Sequence, residues 1–355
     1  MSKAWATGKD ESETLPLLLG TNSSGEPTPA VESAVFIGDD GRIYVGANAS
    51  RQYRLNAGRG RRVYENIKRL LSDAEIGSNP YDWKLEPEID PTGSGLSRGD
   101  LLVLYLAWLT SRGLEVLADI VKRSDLAITS GADLRSVRRR FAIPCFEDTY
   151  NDGSGKSRAT WARDFMRESL LRAQVLADTL TGRWEQLTVG QLAPLMKELR
   201  ELDVAALKPL FAEDAAVREP VAAGASRFLS GGLREGGPDP RRPLLLVVDA
   251  GAGTTDFAMF QVATHGDEGV GYALIRNSVR MSTIAGNTAD SALKPLLLEA
   301  CGINPKTGAP RSDDDFTFIR HDLDARIRDF KETLVRDGSI DVALRMNAAG
   351  RLSRG

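Results

Sequence analysis

Apolar and polar positions along this chain follow two different periods, and the changes between them divide it into elements. Leu102, Tyr105, Leu106, Leu109, Leu114, Leu117 and Val121 recur every three to four residues, which predicts a helix over Leu101–Val121. A second amphipathic stretch, rich in Leu, Arg and Glu, runs from Ala159 to Leu210 and is expected to break near Thr188–Gly190. Two further helices are predicted over Ser291–Cys301 and Phe316–Leu334. Short extended patterns fall at Leu15–Leu19, Phe141–Phe146, Leu244–Val248, Phe257–Val262, Val270–Ile275, Ser278–Met281 and Ser339–Leu344. Pro29–Ile37 and Arg42–Ala49 read as two strands joined at the turn Asp39-Asp40-Gly41. The basic run Arg59, Arg61, Arg62 and the following Val63–Leu71 read as a solvated helix face. Pro80–Asp100 is irregular, and Ser230–Arg242, rich in Gly, Pro and Arg, reads as a linker. The polar residues 1–14 are expected to form a disordered tail.

Composition narrows the function classes. The chain has 355 residues, room for two or three domains or one large two-lobed one, with 42% hydrophobic and 27% charged residues. A net charge of −3 provides no global basic field, so nucleic acid is not an expected partner. The apolar runs are too short to suggest a membrane span, and no leader pattern opens the chain. The only cysteines, Cys145 and Cys301, are far apart, which fits a reducing, cytoplasmic setting. With His265 and His321 as the only histidines, a His-based metal cluster or a Ser-His-Asp triad is not expected.

The stretch with the clearest chemistry is Leu244–Val262, LLLVVDAGAGTTDFAMFQV. Five aliphatic residues predict a buried strand. Asp249, a small-residue turn, Thr254, Thr255 and Asp256 follow, and then a second strand. Glycines at 251 and 253 allow main-chain N–H groups to approach phosphate oxygens, and a carboxylate beside them can hold magnesium through its waters. A plain Gly-cornered hairpin explains the glycines but not the bracketing acids. A second candidate, Gly153-Ser154-Gly155-Lys156-Ser157, imitates a P-loop, but Tyr150 stands where such a loop needs glycine. It reads instead as a polar loop into a helix, with Ser157 as N-cap.

The motif DAGAGTTD resembles the second phosphate-binding motif, Asp-x-Gly-x-Gly-Thr-x-Asp, of the actin, sugar-kinase and 70 kDa heat-shock protein ATPase superfamily. Other segments resemble the heat-shock branch in the same order. Ser23–Arg51 is similar to its Thr-Pro-Ser strand, turn and Val-Gly-x-x-Ala helix start. Ile67-Lys68-Arg69-Leu70 is similar to Lys-Arg-Leu-Ile, and Phe141–Phe146 to Val-Thr-Val-Pro-Ala-Tyr-Phe. Arg218-Glu219-Pro220-Val221-Ala222-Ala223 resembles Asn-Glu-Pro-Thr-Ala-Ala, and Ile284–Asp290 resembles Leu-Gly-Gly-Glu-Asp-Phe-Asp, with Asn287 and Thr288 replacing the middle acids. In Phe316–Leu334, Lys331 matches the lysine of Glu-x-x-Lys-x-x-Leu-Ser, while Arg328 and Val335 replace its Glu and Ser. Leu19-Gly20-Thr21-Asn22-Ser23 does not qualify as the first phosphate loop, since Leu18 stands in place of the required Asp.

The resemblance implies an α/β chain with the two-lobed actin-like (ribonuclease H-like) fold. The first lobe would span 15–235, with a helical insertion at about 165–212, and the second 243–355. It implies ATP or ADP as ligand with Mg2+, weak ATP hydrolysis, and other proteins as further partners. Gly251, Ala252, Gly253, Thr254, Thr255, Asp256, Gly286 and Lys331 would bind nucleotide. Asp249 and Asp256 would hold the metal through water, and Lys68, Glu219, Asp249 and Thr254 would serve catalysis. The family's first phosphate loop and second adenosine loop have no counterpart, so the fold is expected to be incomplete. The alternative is a degenerate or fragmentary relative without ATPase activity that serves as an interaction or regulatory module.

Overall fold

The computed structural model describes residues 2–7, 14–21, 26–56, 60–65, 67, 69–73, 77–123, 141–144, 146, 157–207, 217–223, 244–251, 253–264, 270–275, 277–282 and 284–353. The fold is mixed α/β, built on several small sheets rather than one continuous sheet. Strand β1 (Ser2–Thr7) pairs antiparallel with β2 (Thr14–Leu17) and with β5 (Ala30–Val31), while β3 (Gly20–Thr21) pairs with β4 (Pro27–Thr28). Part of the tail expected to be disordered is thus a strand. Leu17, Leu19 and Val31 anchor this sheet on the far half of the long helix, against Leu117, and the ladder satisfies the main chain of β1.

The largest core forms around β6 (Ala34–Ile37), buried along its whole length between β7 (Ile43–Val45) and β8 (Tyr64–Glu65). Helix α1 (Ala47–Asn56) follows the expected hairpin. The expected solvated helix after the basic run is not formed. Tyr64 and Glu65 join the ladder, and α2 (Arg69–Asp73) is short. Arg61 is 6% exposed, a burial that an arginine tolerates only when its donors are used. It donates to the carbonyls of Ile37 at 2.6 Å, Glu88 at 3.1 Å and Ile89 at 3.2 Å, and it pairs with Asp39. The guanidinium therefore ties the end of β6 to the irregular segment before the long helix.

In the first turn of that helix, α3 (Arg98–Arg123), Asp100 is fully buried and accepts from the Ser97 amide at 2.7 Å and hydroxyl at 2.8 Å. Over Arg98–Ile120, α3 is long and apolar enough, by length and composition, to cross a membrane, although the apolar runs in the sequence look too short. Leu101, Leu102, Val103, Leu104, Tyr105 and Ala107 are packed in the large core. Strand β9 (Ala142–Ile143) comes before α4 (Arg158–Thr179), and Ser157 caps α4 by accepting from Thr160 N at 3.2 Å. The long amphipathic pattern breaks earlier than expected, at the 3-10 turn Trp184–Gln186, and resumes as α5 (Val189–Glu201) and α6 (Val204–Leu207). Arg200 on α5 reaches Asp100 Oδ1 at 2.9 Å and so locks α5 to the start of α3.

Strand β10 (Val217–Arg218) lies parallel to β9 and leads into helix α7, described over 219–223. The hairpin strands β11 (Leu244–Ala250) and β12 (Thr255–Thr264) continue into β13 (Val270–Leu274), and β14 (Arg280–Ser282) also pairs with β12. The expected buried strand at Leu244–Val248 is buried on one face only. Leu244, Leu246 and Val248, on the outer face, are 54%, 57% and 52% exposed, and among the described residues β11 pairs with β12 alone. A separate core joins α8 (Gly286–Ala300), α9 (Asp313–Asp337), β15 (Ser339–Leu344) and β16 (Ala348–Ser353). A Cβ at Gly350 would lie 1.9 Å from the carbonyl oxygen of Ala300, so only glycine lets α8 end against β16.

Replacing Arg61 by Met should lower the unfolding free energy in urea by about 3 kcal/mol, because three main-chain acceptors lose a buried donor. A loss below about 0.5 kcal/mol would show that the guanidinium does not organise this corner.

Candidate functional site

The site grows from the register of one hairpin. β11 and β12 pair from Leu244↔Gln261 through Ala250↔Thr255, and Gly251 N donates to Thr254 O at 2.8 Å to close the turn. Alternation along β11 turns Leu245 and Val247 inward, against Ala258, Phe260 and Val279. Asp249 lies two positions beyond Val247 and so shares that face. Its cross-strand partner is Asp256. Two carboxylates thus stand directly opposite each other at the inner end of the ladder and concentrate negative charge there. Asp256 is 1% exposed, Asp249 is half-buried, and Thr254 Oγ1 donates to Asp256 Oδ2 at 2.8 Å. A Cβ at Gly253 would meet nothing within 4 Å, so the space before the turn is open, whereas one at Gly251 would lie 3.1 Å from Thr254 O.

The turn is fastened to α8. Gly286 N donates to Gly251 O at 3.1 Å, and Thr255 Oγ1 donates to Ile284 O at 2.7 Å. The helix begins at Gly286, earlier than the expected Ser291, so its N-terminal end and its partial positive charge sit beside the hairpin turn. On α9, Lys331 places Nζ 3.3 Å from Gly286 O and 2.5 Å from Asp290 Oδ1. This second contact is an ion pair by proximity, since Asp290 Oδ1 receives no aligned hydrogen bond among the described residues. Asp249, Gly251, Gly253, Thr254, Thr255, Asp256, Gly286 and Lys331 therefore belong to one connected constellation.

Glu219 opens α7, and Val221, two residues on, packs on the inner face of the hairpin sheet beside Leu245 and Val247. Met281, opposite Asp256 in the β12–β14 ladder, touches both this cluster and the large core. Lys68 and Ala252 lie outside the described residues, as do Lys156 and the rest of its glycine-rich loop. No group of three or more His, Cys, Asp or Glu side chains positioned to hold a metal occurs among the described residues. A cavity of about 470 Å³ lies elsewhere, between α9 and β15.

One contribution is not visible in the sequence motifs. Arg328 Nη2 lies 3.0 Å from Glu65 Oε2, and Arg54 Nη2 lies 3.3 Å from Asp329 Oδ1, so α9 is bridged to α1 and β8. Burial pushes the Tyr53 phenol well above its ordinary range, and the neighbouring Asp324 and Glu65 carboxylates add to the shift. Glu65 carries no motif, and no pattern in the sequence points to these contacts. A scan of known family models finds no match to the chain, and a search of curated proteins finds no relative.

Replacing Lys331 by Met should destabilise the protein by about 2 kcal/mol, since it leaves the Asp290 carboxylate buried without its counter-charge. Adding Asp290→Leu should restore more than half of that loss in urea denaturation. Strictly additive losses would mean that the two residues are not coupled.

Proposed function

We propose that this chain is a nucleotide-binding domain of the actin-like ATPase type, related to the 70 kDa heat-shock proteins. In this reading two lobes meet at a cleft, the first over 15–235 and the second over 243–355, and ATP or ADP lies between them with Mg2+. The observation that carries it is the β11–β12 register, which sets Asp249 against Asp256 beside a glycine turn bonded to the start of α8. A main-chain turn with open space in front and a helix N-terminus alongside suits phosphate oxygens. The oxygen donors Asp249, Asp256 and Thr254 are the hard ligands that magnesium and its waters prefer. The metal would supply charge neutralisation on the phosphates.

Within that reading the residues have distinct tasks. The turn amides other than Gly251 N–H, which closes the turn onto Thr254 O, orient the phosphates, and Thr254 holds Asp256 in place through its hydroxyl. Lys331 acts on the start of α8 through Gly286 and Asp290. Lys68 and Glu219 approach from the first lobe. In such a site catalysis is mainly positioning and charge stabilisation around the phosphoryl group. The setting is cytoplasmic, and neither nucleic acid nor membrane is a partner in this account. A second reading, a regulatory or interaction module without turnover, draws support from Arg328. It pairs with Glu65 where the resembled motif has an adenosine-contacting acid.

Titration calorimetry with MgATP tests the proposal. Saturable binding at one site per chain is expected, weakened at least about tenfold by Asp249→Asn, equivalent to about 1.4 kcal/mol. Absence of binding at millimolar nucleotide would overturn it. Binding without hydrolysis above background would select the second reading.

A further inference from the structure

We propose that the groove between α9 and the open edge of β15 is a docking site for an extended basic peptide, which adds to β15 as a strand. This inference is independent of nucleotide binding. Among the described residues β15 pairs with β16 alone, from Ser339↔Ser353 to Leu344↔Ala348. The direction of its second edge follows from one contact. The Ala343 carbonyl accepts from Nη2 of Arg326, a side chain of α9, so this carbonyl faces α9 and not β16. Main-chain groups of alternate residues in an antiparallel strand face the same edge, so Asp341 and Ser339 turn their N–H and C=O toward α9 as well. Strand addition needs such a row of donors and acceptors beside room for a chain.

The room is a shallow, open depression along this edge, with Phe330 and Ile340, only 9% and 7% exposed, at its base among polar groups. Its rim carries Asp329, Asp337 and Asp341. The single lining cation, Arg326, is already placed over the Phe330 ring at 4.7 Å and on the Ala343 carbonyl. The arginines that neutralise the rim acids, Arg54, Arg336 and Arg351, are 48%, 71% and 68% exposed. Exposed pairs of this kind contribute little and are readily exchanged for an incoming lysine or arginine. The same charges argue against a second copy of the chain, because pairing β15 with itself brings two Asp341-bearing edges together.

The test uses the full chain and a fluorescein-labelled, end-blocked peptide of three Val-Lys repeats, followed by fluorescence polarisation at low salt. Saturable binding with a dissociation constant below about 1 mM is expected. The protein variant Asp341→Lys, at a side chain 85% exposed, should weaken it about tenfold with unchanged circular dichroism. The same peptide N-methylated at alternate amides should also lose about tenfold, and this arm leaves the protein untouched. No saturable binding, or equal binding of the N-methylated peptide, would overturn the proposal. So would self-association of the chain through this edge, seen by sedimentation and abolished by Asp341→Lys.

Discussion

The antiparallel register that sets Asp249 opposite Asp256 is the constraint on which the candidate site depends. A slip of one residue would put the two carboxylates on opposite faces of the ladder. Several contacts oppose that slip. Leu245 and Val247 are held inward against Ala258, Phe260 and Val279, and β14 fixes the other side of β12 through Thr255↔Ser282 and Asp256↔Met281. The turn is also bonded to Gly286 and Ile284. Burial on the inner face and hydrogen bonds at the turn thus enforce the same register.

Helix α9 links this site to the rest of the molecule. Ile319, Leu323, Ile327 and Phe330 seat it in its own core. Lys331 extends to the first turn of α8, while Arg328 and Asp329 cross to Glu65 and Arg54. The bridges to Glu65 and Arg54 are half-exposed and screened by salt, so they orient the helix more than they stabilise it.

Much of this was legible in the residues. The 3.6-residue period located α3, α4 and α9, the Asp-Asp-Gly turn located β6 and β7, and Ser157 marked the start of α4. The acids, threonines and glycines of the hairpin were legible as a group because they lie within one local motif. What remained hidden depends on distant partners. Arg61 looks like any surface arginine until three carbonyls from two separate segments converge on it. The aliphatic run of β11 carries no sign that its outer face is exposed. Strand β16, Ala348–Ser353, has few β-branched or aromatic residues and exists because β15 pairs with it along its whole length. The short strand β8 replaced an expected helix because β6 offered an open ladder.

The central claim is that the main chain from Gly251 to Thr254, together with the start of α8, receives the phosphates. Amide hydrogen exchange with and without MgATP tests it most directly. The account predicts slowed exchange in peptides covering the hairpin turn and the first turn of α8, with the outer strand β13 unchanged. Saturable nucleotide binding that leaves exchange at the turn unaltered would contradict it.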